Sequence, residues 1–191
     1  MRLYLLGFMG SGKSFSGKKL AEKFDMSFID LDDYIEAKEG STIREIFEEK
    51  GENYFREIEK TCLHEMGEKE MTIISTGGGT PCFFDNIKWM NENGVTVFLE
   101  TSVEILSDRL FDEMQKRPLL NGLSKEELKH FIQQKLEERD PFYHQTQILY
   151  KQNERNQDVA EELRKYFFKM IFLLCSHIRL TFFRRVGFQG F

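Results

Sequence analysis

Near the start of the chain, Gly7-Phe8-Met9-Gly10-Ser11-Gly12-Lys13-Ser14 has the residue types and spacing to hold a phosphate chain. The pattern is G-x-x-x-x-G-K-[ST], whose backbone N–H groups cradle phosphate oxygens. Glycines at 7, 10 and 12 let the backbone turn sharply and approach a phosphate closely. Lys13 would reach the β- and γ-phosphates, and the Ser14 hydroxyl would sit on Mg²⁺. Gly10, Ser11, Gly12, Lys13 and Ser14 thus form the expected ATP-binding segment. Leu3 to Leu6 reads as a buried strand before it, and Leu20, Ala21 and Phe24 recur at helical spacing after it. Strand, glycine loop and helix in that order point to a nucleoside triphosphate.

Three further features could do chemistry. Asp30 and Asp32 stand where Ser27-Phe28-Ile29-Asp30 would end a strand. One such carboxylate can hold Mg²⁺ while another accepts the proton of an attacking hydroxyl. Asp is also a favoured helix cap, which is the plainer alternative. Gly77-Gly78-Gly79 follows a third strand, Thr72 to Ser75, and is entropically costly unless the backbone must approach something closely. Arg56, Arg117 and Arg139 stand near expected element boundaries, and guanidinium forks suit carboxylates and phosphates. Glu57 and Glu59 are candidate local partners for Arg56.

The elements that must position these groups alternate. Tyr34 to Glu39 reads as a short helix, and Thr42 with Glu45 as a capping box for the next. A turn near Gly51 precedes a helix over Tyr54 to Glu65. A helix over 84–93, a strand over Val95 to Leu99 and a helix over Val103 to Phe111 follow. Residues 112–124 are polar enough for a mobile flap; then come a helix over Lys125 to Arg139, a strand over Ile148 to Tyr150 and a last helix from Asp158. Alternation of this kind predicts a three-layer α/β/α fold around a five-stranded parallel sheet.

Composition narrows the classes. The 191 residues suit a single domain, and a net charge of −5 argues against a nucleic-acid partner. Cys62, Cys82 and Cys175 match no metal spacing, so reduced thiols in a cytoplasmic protein are expected. The chain enters a strand at once, leaving no room for a signal peptide. Residues 166–191 differ from the rest: they hold no Asp or Glu, four Lys or Arg and seven Phe, leaving residues 1–165 at −9. Their longest uncharged run is too short to span a bilayer, so no membrane partner is expected.

Several segments together resemble the shikimate kinase family of P-loop kinases, whose fold is that of the nucleoside-monophosphate kinases. They are the phosphate loop with Gly17 and Leu20-Ala21, Phe28 to Asp32, Ile43 to Phe47 with Gly51-Glu52, Phe55 to Glu59, Ser75 to Gly79, Arg117 to Leu120 and Glu138 to Tyr143. The resemblance covers residues 3 to about 168 and implies ATP-dependent phosphorylation of the 3-hydroxyl of shikimate, on the way to chorismate and the aromatic amino acids. It implies a kinase domain over 1–168, with substrate-binding helices over about 32–65 and a lid over about 112–124. It assigns Asp30 to the metal, Asp32 to substrate binding and proton acceptance, and Arg56, Gly78, Gly79 and Arg139 to shikimate. Arg109 would stack on adenine and Arg117 would close with the lid onto the transferring phosphoryl group. Phe15, at the end of the ATP-binding segment, stands where the family has a small hydroxyl residue, so its ring is expected against the sheet. Residues 169–191 read as a dispensable extension, and a monomer is expected. The rivals are a kinase of another small hydroxy acid, such as gluconate, and a nucleotide-binding regulator without turnover.

Overall fold

The computed structural model describes residues 1–112, 120 and 122–168. Two compact units divide the chain, Met1–Gln157 and Asp158–Phe191. In the second, residues 159–168 form a helix whose Arg164 pairs with Glu161. The extension over 169–191, with Cys175, lies outside the described residues, as does most of the expected lid.

The first unit is built on five parallel strands: β1 (Arg2–Leu6), β2 (Ser27–Asp30), β3 (Thr72–Ser75), β4 (Val95–Thr101) and β5 (Ile148–Gln152). Their order across the sheet is β2-β3-β1-β4-β5. Leu3, Tyr4, Leu5 and Leu6 of β1 are all buried, as expected of a parallel strand covered on both faces. The helices are α1 (Lys13–Phe24), α2 (Leu31–Glu39), α3 (Ile43–Glu65), α4 (Asn86–Asn93), α5 (Val103–Asp112) and α6 (Lys125–Tyr143).

Alternation along β1 sorts the helices into layers. Tyr4 and Leu6, with Ile74 of β3, face a core supplied by α2, α3 and α4, including Leu31, Ile35, Ile46, Leu63 and Met90. On the opposite face α1 lies close against β1 and β2. A Cβ on Gly17 would stand 2.6 Å from the Phe28 ring and 3.1 Å from a Leu5 methyl. Another apolar cluster, with Phe8, Leu106, Leu110, Leu128 and Ile132, joins the phosphate loop to α5 and α6.

Local signals set several boundaries. Thr42 and Glu45 form the expected capping box, each side chain bonded to the other's backbone N–H. Gly51, at φ 81°, interrupts α3 where the turn was expected, and helix resumes directly beyond it. Helix α2 starts at Leu31, because the Asp30 side chain accepts a hydrogen bond from the Asp32 N–H and caps it. Helix α6 runs past Arg139 and through Pro141 to Tyr143, beyond its expected end. Among the described residues, no helix is long and apolar enough to cross a membrane.

Gly17→Ala should destabilise the chain by about 1–3 kcal/mol, since the added methyl overpacks a rigid helix–sheet contact. Urea unfolding measures this, and an unchanged midpoint would show that α1 can lift off the sheet.

Candidate active site

The carboxyl ends of β1, β2 and β3 bring the phosphate loop, Asp30 and the glycine triplet to one edge of the sheet, where open α/β sheets place ligands. Gly12, at φ 90°, is the residue preceding α1. Helices α2, α3 and α6 begin on side-chain caps, whereas α1 begins on a glycine that has none. A helix start without its own acceptor suits an anion. The Lys13 ammonium donates to the carbonyls of Gly7 at 2.9 Å and Phe8 at 3.1 Å, so its charge lies across the loop.

The Ser14 hydroxyl donates to Asp30 Oδ2 at 2.5 Å and lies 3.2 Å from Ser75 Oγ. Asp30 Oδ1 caps α2, the plainer alternative, while its Oδ2 meets Ser14. Converging hydroxyl and carboxylate oxygens are hard donors of the kind Mg²⁺ takes alongside nucleotide phosphates. The residues present therefore fit that ion.

The glycine triplet is the hub of the other half of the site. A Cβ on Gly77 would stand 3.0 Å from Asp32 Oδ1, Glu59 Oε1 and Thr80 Oγ1 alike. One on Gly78 would be 3.1 Å from Arg139 Nη1, and one on Gly79 would be 3.1 Å from Arg56 Nη2. Each expected substrate residue thus packs on a different member of the triplet. None of the three glycines has a left-handed φ, so close approach, not backbone freedom, requires them.

Asp32 lies in the first turn of α2 and does not cap it. Its pKa is pushed up to about 6, chiefly by burial and then by repulsion from Asp30 and Glu59, with Lys13 opposing. A carboxylate so poised is ionised at neutral pH and basic enough to take a proton.

The arginines are braced by other side chains. Glu59 is buried; its Oε2 accepts from Arg56 Nη1 at 2.8 Å and its Oε1 from Thr80 Oγ1 at 2.6 Å. Glu52, not Glu57, supplies the second partner, accepting from Arg56 Nε and Nη2. Arg56 also lies over the Phe83 ring at 3.9 Å. It sits inside α3, and Arg139 inside α6, where their boundaries had been expected. Arg139 lies over the Phe8 ring at 5.3 Å. One turn beyond it, the buried Tyr143 hydroxyl donates to the Gly78 carbonyl at 2.7 Å. Because a peptide is planar, holding that carbonyl turns the Gly79 N–H the opposite way. Cys82 is a free thiol near both arginines, its pKa pushed up to about 11 by burial.

Arg109 donates to the carbonyls of Gly10 at 3.1 Å and Arg155 at 2.5 Å, which places it beside the phosphate loop. Phe15 departs from expectation. Its ring is 67% exposed on α1, with the Lys19 ammonium above it, because the helix turns Ser16, Gly17 and Leu20 inward instead. Arg117 lies outside the described residues.

The Shikimate kinase family model matches residues 9–168. The shikimate kinase of Bacteroides fragilis is 48% identical over 170 residues, spanning 86% of this chain and 95% of that protein. That of Parabacteroides distasonis is 51% identical over 149 residues, spanning 78% of this chain and 86% of that protein. The chain belongs to the shikimate kinase family. Among solved members of the family, the Bacteroides thetaiotaomicron enzyme superposes with a TM-score of 0.82 at 44% identity, covering 87% of this chain and 98% of that one. The Acinetobacter baumannii enzyme, solved in complex with shikimate, superposes at 0.79 and 32% identity, covering 88% and 93%. The fold is accordingly the P-loop kinase fold that the family resemblance implies, built on the parallel sheet that the alternation of elements predicts.

Sequence reasoning did not single out Tyr143, Thr80 or Gln152. Tyr143 stands in the Asp-Pro-Phe-Tyr segment already tied to Arg139, which was the one available signal. The raised pKa of Asp32 has a sign that can be tested. A carboxylate raised in the folded state stabilises the fold most below its unfolded value and loses that contribution as pH rises through about 6. Asp32→Asn should therefore raise stability at pH 7.5 by about 1–3 kcal/mol, with the gain vanishing near pH 4. Denaturant unfolding at the two pH values checks this, and a stability loss at pH 7.5 would contradict it.

Proposed function

We propose that this chain transfers the γ-phosphoryl group of ATP to the 3-hydroxyl of shikimate, the step its family performs in aromatic amino acid biosynthesis. The observation that carries this reading is the meeting of the partly buried Asp32 carboxylate and two arginines on Gly77, Gly78 and Gly79, beside the phosphate loop. A Cβ on Gly78 would lie 3.5 Å from both the Gly7 carbonyl and the Met9 nitrogen, so the two halves of the site adjoin.

The roles follow from chemistry. Loop N–H groups and Lys13 hold the phosphates; Lys13 leaves the Gly7 and Phe8 carbonyls for the γ-phosphate as nucleotide binds. Ser14 and Asp30 hold Mg²⁺, which neutralises developing phosphate charge. Arg56 and Arg139 grip the shikimate carboxylate, with the Gly78 and Gly79 N–H groups alongside. Asp32 accepts the proton of the attacking hydroxyl. Arg109 stacks on adenine by its guanidinium face. Arg117 enters with the lid and stabilises the transferring charge, and closure keeps water from the phosphoryl group. The enzyme acts as a cytoplasmic monomer, and residues 169–191 are dispensable for turnover.

Phosphoryl transfer is mostly positioning and charge stabilisation, so the two substrates should fail separately. Lys13→Ala should abolish shikimate-dependent ADP release from MgATP while the far-ultraviolet spectrum stays native. Arg139→Ala should raise the shikimate KM by about tenfold or more, with the MgATP KM little changed. A coupled ADP assay measures both. Unchanged shikimate KM in Arg139→Ala would place the carboxylate elsewhere, and turnover without shikimate would remove the reading.

A further inference from the structure

We infer that Gln152 is a positioning residue for the nucleotide, coupling the phosphate loop to the arginine on its adenine side; this rests on the ATP-dependent reading above. Gln152 closes β5 and is 2% exposed. Its Nε2 donates to the Ser11 carbonyl at 2.8 Å and to Thr101 Oγ1 at 2.7 Å, while its Oε1 accepts from Arg109 Nη1 at 3.2 Å. A carbonyl can only accept and a guanidinium can only donate, so these partners fix which end of the amide faces which. Both donor hydrogens and the acceptor oxygen are used, leaving the amide one orientation.

The bond to Ser11 acts on the cradle itself. The peptide that carries the Ser11 carbonyl also carries the Gly12 N–H, and planarity turns the two in opposite directions. Pinning the carbonyl toward Gln152 therefore turns the N–H of Gly12, the residue preceding α1, away from Gln152. The bond to Arg109 acts on the other end. Arg109 is held along its edge by Gly10, Gln152 and Arg155, and a guanidinium held by its edge recognises a base by its face. One amide thus sets the distance between the phosphate cradle and the base-stacking cation. Neither Leu nor a carboxylate can reproduce this, since Leu has no polar atom and a carboxylate has no hydrogen for Ser11.

The test is calorimetric binding of MgADP to the full chain as wild type, Gln152→Glu and Gln152→Leu, with shikimate KM at saturating MgATP and thermal midpoints alongside. Gln152→Glu is nearly isosteric and keeps an acceptor for Arg109, so its deficit reports the amide donor that Ser11 and Thr101 accept. Both variants should weaken MgADP binding by about tenfold or more, the cost of an unsatisfied buried group. The shikimate KM should stay within about twofold, because uniform loss of nucleotide binding does not reach the other substrate. Wild-type MgADP affinity in either variant would overturn the coupling. So would MgADP affinity and shikimate KM worsening together in step with a falling thermal midpoint, which is the behaviour of a residue that only supports the fold. MgADP binding needs no shikimate, so a wild-type chain that binds nucleotide and leaves shikimate untouched would count against the reaction and not against Gln152.

Discussion

Side-chain atoms stand within 3.0–3.1 Å of where a Cβ would lie at positions 77, 78 and 79, and that close approach organises the site. Three side chains from three helices, Asp32 of α2, Arg56 of α3 and Arg139 of α6, each rest on a different glycine. The glycines follow β3 after one residue, Thr76, and β3 lies between β1 and β2 in the sheet. The triplet is therefore fixed relative to both the phosphate loop and Asp30. Packing on a bare backbone is stiffer than packing on flexible side chains, which is what holding a hydroxyl in line with a phosphoryl group requires.

The same arrangement costs stability. Asp32 is buried close to Asp30 and Glu59, all three acidic, and burial raises its pKa. A folded protein with no reaction to run would gain by an amide there. The positive groups that offset this crowding are themselves held by neighbours: Lys13 by loop carbonyls and Arg56 by Glu59, Glu52 and Phe83.

Much of this was legible in the sequence where the determining physics is local. The phosphate loop, the Thr42 cap, the break at Gly51 and the strand–helix alternation depend on residues within a few positions of one another. Less legible were groups joined by tertiary folding. Gln152 meets Ser11 across 141 positions, and no short pattern signals that. The end of α6 was misjudged because Pro141 normally argues for termination, yet burial of Tyr143 and its bond to Gly78 carry the helix on. Phe15 was misjudged because a large aromatic suggests burial, whereas the helical phase is set by Gly17 closing on Phe28 and Leu5. Glu52 replaced Glu57 as the partner of Arg56 because Glu52, four residues before Arg56, lies on the same helix face, whereas the adjacent Glu57 does not.

The most direct measurement of the central claim is the single-turnover rate of Gly77→Ala with saturating MgATP and shikimate, set beside its MgADP affinity. Its added methyl would crowd three polar atoms at once, Asp32 Oδ1, Glu59 Oε1 and Thr80 Oγ1, each 3.0 Å away, and so disturb the seat of Asp32. The account predicts a rate lowered by about tenfold or more with nucleotide affinity retained. A wild-type rate in a well-folded Gly77→Ala protein would contradict it, because the carboxylate would then not depend on the bare backbone for its place.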